Sequence, residues 1–406
     1  VLAGAVVTSA QDEPAAPRRY GDTPEDLLPH RAFGEPARRF FTEAPAFRGP
    51  GVYAADAAKK DAVLFGVIAP LTGDDCELGR RMLDGIGLAV EDANAAGGFA
   101  PGVPFSVSVR DENKSWGAAG DAAVDLVTNE GAAALVGAFE DSASHVMTRV
   151  ILKLEVPMMN TAGTDPTLTE HFVPWLVRMR PDDRQTCYAL ARRIVERDRR
   201  ERIVVFRAND RYARAGIAEF NDAVRRLRYP VLLEERYLAS ETSWAAQIER
   251  IRAARPDAIV VWSRAAAAGR VVRALRDAGL RQPIYGPERL ADDAFVRAAG
   301  DAAEGVVCTY PFDPRRTDPV WTAFGERFRA RFGRDPDPVA SYAYDGVTYL
   351  VQAVREAGLD RAKIRDRLFA HATFAGVTGV ARFDTTHNNV LPPLFGHVEH
   401  GKFILE

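Results

Sequence analysis

From Val63 onward the chain alternates short, unbroken apolar runs with longer stretches whose apolar residues recur every three or four positions. Val63-Leu64-Phe65-Gly66-Val67-Ile68-Ala69 is the first such run, and a strand reads this way when both its faces are buried in a parallel sheet. Arg80 to Ala96 follows with Met82, Leu83, Ile86, Val90 and Ala93 at helical spacing, and Gly97-Gly98 stops it. The spacing then predicts strand Phe105–Val109, helix Ala118–Thr128, strand Ala133–Val136, helix Ser144–Leu154 and strand Pro157–Asn160. Past Pro181 the rhythm restarts: strand Arg202–Phe206, helix Ala213–Leu227, strand Val231–Glu234, helix Trp244–Ala254, strand Ala258–Trp262, helix Ala265–Ala278. Short strands follow at Ile284-Tyr285 and Gly305–Thr309, helices dominate from Asp318 to Ala370, and Pro393–Leu405 reads as a strand pair turning at His400-Gly401. Parallel neighbours need a crossover, here a helix each time. The pattern therefore predicts an α/β chain of two doubly wound parallel-sheet lobes.

A length of 406 residues suits two domains. Fifty-three basic against 56 acidic residues leave a net charge of −3, which offers no electrostatic footprint for nucleic acid. Cys76, Cys187 and Cys308 are too few and too scattered for a disulfide framework or a CxxC metal site. No GxGxxG follows a strand, and neither GxxxxGK[ST] nor GxSxG occurs, so dinucleotide, Walker-type and nucleophile-elbow chemistry lack their scaffolds. Among seven histidines only His397 and His400 lie close together, and on a strand that spacing puts them on opposite faces. Ala291-Asp292-Asp293 reads as a helix N-cap rather than a calcium loop. The expectation is a protein that is not an enzyme, with no catalytic residue, cofactor or metal.

Val1 to Ala10 is apolar and ends in small residues before Gln11, like the tail of a secretory signal. The expectation is therefore a protein that works in the periplasm or otherwise outside the cytoplasm. Residues 11–61 hold seven prolines with Phe33, Phe40, Phe41 and Phe47 between them. Proline at that density breaks helices and central strands, while the aromatics argue against a solvated linker. The segment reads as an extended arm packed on its own domain or on a partner.

An ordered set of short motifs carries a resemblance. Gly66-Val67-Ile68-Ala69-Pro70-Leu71-Thr72-Gly73 precedes Gly85 to Gly98; then come Val136-Gly137, Pro166 to Thr169, Tyr285-Gly286-Pro287-Glu288, Ala302 to Val306, Ala343-Tyr344-Asp345 and Gly376 to Gly379. Over roughly 62–400 the chain resembles type I periplasmic solute-binding proteins of the leucine/isoleucine/valine-binding branch. The resemblance implies a monomeric two-lobed clamp with three crossovers, near Arg180–Asp183, Tyr310–Asp313 and Gly379–Asp384. Lobe 1 is then 62–182 plus 312–379, and lobe 2 is 183–311 plus 380–406. It implies an amino acid or related small carboxylate bound in the cleft by hinge closure, and a membrane permease of an ABC transporter as partner. A ligand-sensing or partner-binding protein on the same fold is the alternative.

The resemblance also implies site residues. A ligand carboxylate belongs at a helix N-terminus, where free N–H groups favour an anion; without a gap the matching residue is Asp141, with a one-residue shift Ser142. Asp141 is otherwise an N-cap. Ala162 supplies backbone, and Thr164 its N–H and hydroxyl. Glu288 pairs with a ligand ammonium or, alternatively, with Arg289. Tyr212 lines the cleft from the second lobe and Tyr344 from the first. Arg264 stands where branched-chain binders have a tyrosine; it suits a second anionic group or pairs internally with Asp141 or Glu288. Leu78 forms an apolar wall. Lys114 and Glu140 occupy the places of a cystine found in some relatives, so an ion pair or nothing is expected there.

Overall fold

The computed structural model describes residues 34, 61–112, 117–170, 173–238 and 240–406. The expectations for residues 1–10, for 11–60 apart from Gly34, and for Lys114 lie outside the described residues.

Two sheets organise the chain. The first is wholly parallel, in the order β13-β5-β4-β3-β1-β2. Its strands are β1 (Val63–Ala69), β2 (Phe105–Asp111), β3 (Ala134–Gly137), β4 (Met158–Asn160), β5 (Leu176–Pro181) and β13 (Asn388–Asn389). The second runs β15-β14-β10-β9-β8-β6-β7. It comprises β6 (Ile203–Ala208), β7 (Leu233–Tyr237), β8 (Ala258–Trp262), β9 (Ile284–Gly286), β10 (Val307–Tyr310), β14 (Leu394–Glu399) and β15 (Lys402–Leu405). β14 pairs antiparallel with β10, and β15 pairs antiparallel with β14, as the two strands of a hairpin must. A separate hairpin joins β11 (Thr373–Gly376) to β12 (Gly379–Arg382).

Helices cover both faces. In the first lobe these are α1 (Cys76–Ala95), α2 (Ala118–Thr128), α3 (Asp141–Leu154) and the single turn α4 (Thr167–Glu170). The second lobe holds α5 (Asp183–Arg192), α6 (Arg211–Arg226), α7 (Ala245–Ala253), α8 (Ala265–Asp277) and α9 (Asp293–Ala299). The chain then returns to the first lobe for α10 (Pro319–Phe332), α11 (Pro338–Ala357) and α12 (Arg361–Ala370). Aspartates start many of them: Asp182, Asp210 and Asp292 accept from Gln185, Ala213 and Ala294 N–H, which satisfies donors that a helix leaves free. Separate apolar cores form under each sheet, around Phe65, Ile86 and Val347 in the first and around Phe206, Val260 and Trp262 in the second.

The chain changes sheet three times: between β5 and α5, between β10 and α10, and between β13 and β14. The third change corrects the sequence reading, which put it at Gly379–Asp384. Asn388-Asn389 still pair with β5, because the Asn388 amide bonds Asp182 at 2.9 Å and the Asn389 amide bonds the Met179 carbonyl at 2.7 Å. Residues 380–389 thus stay with the first lobe, where Ala381 and Phe383 pack in its core, and the crossing lies at 390–393.

Candidate functional site

In each sheet the chain reverses its direction of spread at one point, between β1 and β3 in the first and between β6 and β8 in the second. Side chains just past the carboxyl ends of these strands meet, and such a crevice is where open α/β sheets bind ligands. Arg264, following β8, reaches Glu140 past β3 at 2.8 Å, contacts Asp75 past β1, and lies 3.8 Å from Asp210 past β6. Burial and the nearby Arg289 charge lower its pKa to about 10, so it remains charged at neutral pH. Arg264 therefore pairs internally, and its partners are Asp75, Glu140 and Asp210 rather than Asp141 or Glu288.

The first lobe supplies two sets of backbone donors, both engaged. Asp141, only 5% exposed, accepts from Thr164 N–H at 2.9 Å and Asp165 N–H at 3.1 Å through one oxygen. Gly163 makes this possible, since a Cβ there would lie 2.8 Å from that oxygen. Burial and the Asp165 carboxylate raise the Asp141 pKa, against the pull of the Asp165 N–H. Glu112 accepts from Phe139 N–H at 2.8 Å and Glu140 N–H at 3.1 Å. Burial pushes its pKa up to about 7 although both hydrogen bonds favour the anion.

Beside this wall Thr164 donates its hydroxyl to Asp183 Oδ2 at 3.0 Å. The other oxygen, Asp183 Oδ1, is buried and has no hydrogen-bond partner. Burial, Glu288 and Asp141 push the Asp183 pKa well up. Glu288 faces Arg180 across the lobes at 2.8 Å, and Arg180 also donates to the Ala162 carbonyl at 3.3 Å. Next to Glu288, Arg289 stacks 4.3 Å from the Tyr212 ring centroid and 5.2 Å from that of Phe139. The Tyr212 hydroxyl is buried without a partner, and burial holds its pKa well above the usual phenol value.

A second crossing contact is Arg211 to Asp165 at 2.6 Å, beside His145 at 3.1 Å from the same oxygen. Burial works against ionisation of Asp165, but the hydrogen bonds from His145 and Thr167 outweigh it and hold its pKa well down. Arg178 ties the first and third crossings together through Asp182 at 3.1 Å and Asn388 at 2.7 Å.

The structure thus brings together Asp141, Ala162, Thr164, Tyr212, Arg264 and Glu288. Ser142 is exposed on α3. Asp141 is not an N-cap: Glu140 holds that position, and Asp141 reaches sideways to the 163–165 loop. Tyr344 lies elsewhere, donating to Asp92 near the far end of α1 at 2.6 Å and accepting from Arg327. Two residues earlier on α11, Tyr342 faces Arg180 at 5.9 Å. Leu78 is half-buried and packs on the first-lobe core. Glu140 pairs with Arg264, and all three cysteines are free. Sequence reasoning missed Glu112; it named Arg180 and Asp183 only as ends of a crossover and Arg289 only as an alternative partner for Glu288, and gave none of the three a role toward a ligand. No cluster among the described residues is arranged to hold a metal, and no helix among them is long and apolar enough to cross a membrane.

A family model described as periplasmic binding protein matches residues 62–402. An amino acid binding protein of Pseudomonas aeruginosa is 28% identical over 313 residues, covering 76% of this chain and 83% of that one. The Leu/Ile/Val-binding protein homolog 2 of Brucella abortus is 25% identical over 333 residues, covering 82% and 88%. The substrate binding protein LivJ of Streptococcus pneumoniae, a branched-chain amino acid transporter component solved with isoleucine, superposes with a TM-score of 0.77 at 24% identity, over 85% of this chain and 100% of that chain. At that identity the last likeness speaks for the fold.

Proposed function

Because the chain belongs to the periplasmic binding protein family, we propose that it is the extracytoplasmic solute-binding receptor of an ABC transporter, taking an amino acid or related small carboxylate between its lobes. The observation that carries the reading is a polar crevice between two apolar cores. Asp183 Oδ1, Tyr212 Oη and Arg180 Nε lie in or beside it, buried and without hydrogen-bond partners. Native proteins leave few such atoms unmatched, and a ligand is one explanation for those that remain. The relatives named for amino acid binding support the ligand class.

Closure would work by differential affinity. Only in the closed form do groups from both lobes reach one ligand, so binding shifts the hinge equilibrium toward it. A permease would then read the closed form, without covalent chemistry in the receptor. A thermal-shift screen over amino acids, dicarboxylates and aromatic acids tests the reading. A ligand at 100 times its Kd adds about 2.7 kcal/mol of stability; no shift with any of these classes refutes the proposal.

A ligand sensor or partner-binding protein on the same fold is the second reading. It is favoured by the ion pairs Arg180–Glu288, Arg211–Asp165, Arg264–Glu140 and Arg81–Asp292, which join the lobes directly. Deleting residues 11–60 separates the two: unchanged stability and ligand binding would point to a partner for that segment.

A further inference from the structure

The crevice holds donors and acceptors of two kinds, those already used and those left over. The backbone N–H groups that would receive a carboxylate on the first lobe are used. Thr164 and Asp165 give theirs to Asp141, and Phe139 and Glu140 give theirs to Glu112. A ligand carboxylate placed there would meet these two carboxylates at close range, a repulsion that grows as water is excluded. Glu288 is used as well, by Arg180.

What is left over has opposite signs at two places. Arg289 makes no hydrogen bond or ion pair among the described residues, while Tyr212 and Phe139 cover its guanidinium. Stacking engages the π face of a guanidinium and leaves its in-plane N–H fork for a planar anion. Asp183 is 1% exposed and its Oδ1 accepts from no group. Its neighbours Asp141 and Glu288 are acidic, and their charges disfavour a second anion there. Tyr212, 3% exposed and with a free hydroxyl, sits close enough to feel both Asp183 and Arg289.

We infer that the crevice takes a small zwitterion whose carboxylate is held by Arg289 and whose ammonium is held by Asp183. The inference rests on the solute-binding reading above and deepens it. The ends are exchanged relative to the expectation from resemblance, which put the acid on the Thr164 amide and the ammonium on Glu288. Both charges of the ligand are met by side chains: Asp183 through the oxygen that Thr164 leaves over, and Arg289, which feels the Glu140, Glu288 and Asp141 charges but is bonded to none of them. Burial raises the Asp183 pKa, and an arriving ammonium opposes that shift.

The test is titration calorimetry on the full chain at pH 7 with the twenty L-amino acids, benzoate and succinate. The amide and the deaminated acid of the tightest amino acid follow. The amino acid should bind about 30-fold or more tighter than either, as expected when one charge loses its buried partner. Arg289→Gln should lose that factor for the amino acid but not for its amide, and Arg289→Lys should recover part of it. Asp183→Asn should lose it for the amino acid but not for the deaminated acid. Ligand-free melting temperatures establish that all three variants fold. A ligand that binds the wild type but loses no more than about threefold in Arg289→Gln overturns the inference and leaves the receptor reading standing. So does benzoate or succinate binding more tightly than any amino acid. If no compound of any of these classes binds, the receptor reading falls, and the inference with it.

Discussion

Arg180→Met is the most informative change to the interface between the lobes. The pair it breaks is well shielded: the Arg180 and Glu288 side chains are 6% and 13% exposed and 2.8 Å apart. Losing the charge-assisted bond costs about 1.5–3 kcal/mol, and losing the contact with Tyr342 at 5.9 Å about 0.5–1 kcal/mol. Glu288 is then left facing Asp183 without its hydrogen-bonded partner, and only the unbonded Arg289 charge offsets it. The total expected is about 3–5 kcal/mol, the usual cost of removing one member of a buried pair. Glu288→Gln keeps an acceptor for Arg180 and should cost about 1–2 kcal/mol. In the double variant no stranded carboxylate remains, so its cost should fall short of the sum by about 2 kcal/mol. Urea unfolding of all four proteins at pH 7 measures these differences, provided the slope is common to them. A cost below about 1 kcal/mol for Arg180→Met, or a strictly additive double variant, would show that the lobes do not meet through this pair.

Three further outcomes follow from the same geometry. Glu112 has its pKa raised from an ordinary value near 4.5 to about 7, so the folded protein holds a proton there that the unfolded chain has lost. Its contribution is complete below pH 4.5 and disappears as pH rises to 7; stability measured by urea should fall by about 2–3 kcal/mol over that window. Glu112→Gln should reduce that slope, and an unchanged slope would refute the assignment. Burial raises the Glu140 pKa to about 7 as well, against the pull of the Arg289 charge, so Glu140 titrates in the same window and Glu112→Gln should remove only the Glu112 part of the slope. Gly163→Ala drives a Cβ to 2.8 Å from Asp141 Oδ1 and 3.1 Å from Asn160 Nδ2; it should cost about 1–3 kcal/mol by thermal or urea unfolding, and a neutral result would mean that the loop is not held against Asp141. Asp345→Ala removes the acceptor of Val377 N–H, Thr378 N–H and the Thr378 hydroxyl, at 2.6–2.9 Å. With two amides stranded the loss should be about 2–4 kcal/mol, visible as faster amide exchange at Val377 and Thr378.

Much of the fold was legible because it depends on local pattern. Unbroken apolar runs such as Val63–Ala69 and Ala258–Trp262 became central parallel strands, since only strands buried on both faces can be apolar throughout. Asp292 at its helix start was readable for the same reason, as a cap acts within three residues. The third crossing was not. Nothing in Gly379 to Pro393 announces that Asn388 and Asn389 find partners on β5, some two hundred positions earlier. Tyr344 was misplaced because α11 is buried on nearly every side. Its periodicity cannot say which face looks into the crevice, and residues 342 and 344 point roughly 200° apart.

The site divides in the same way. The order of the motifs located Thr164, Tyr212 and Glu288 near the carboxyl ends of their strands, where the lobes meet. Their present partners came from elsewhere in the chain: Asp141 for Thr164, Arg180 for Glu288 at a separation of 108 residues, and Arg289 for Tyr212. A residue's type determines what it can donate or accept, and that much was in the sequence from the start. Which groups consume one another and which are left over depends on distances of a few ångströms between segments that only tertiary packing brings together.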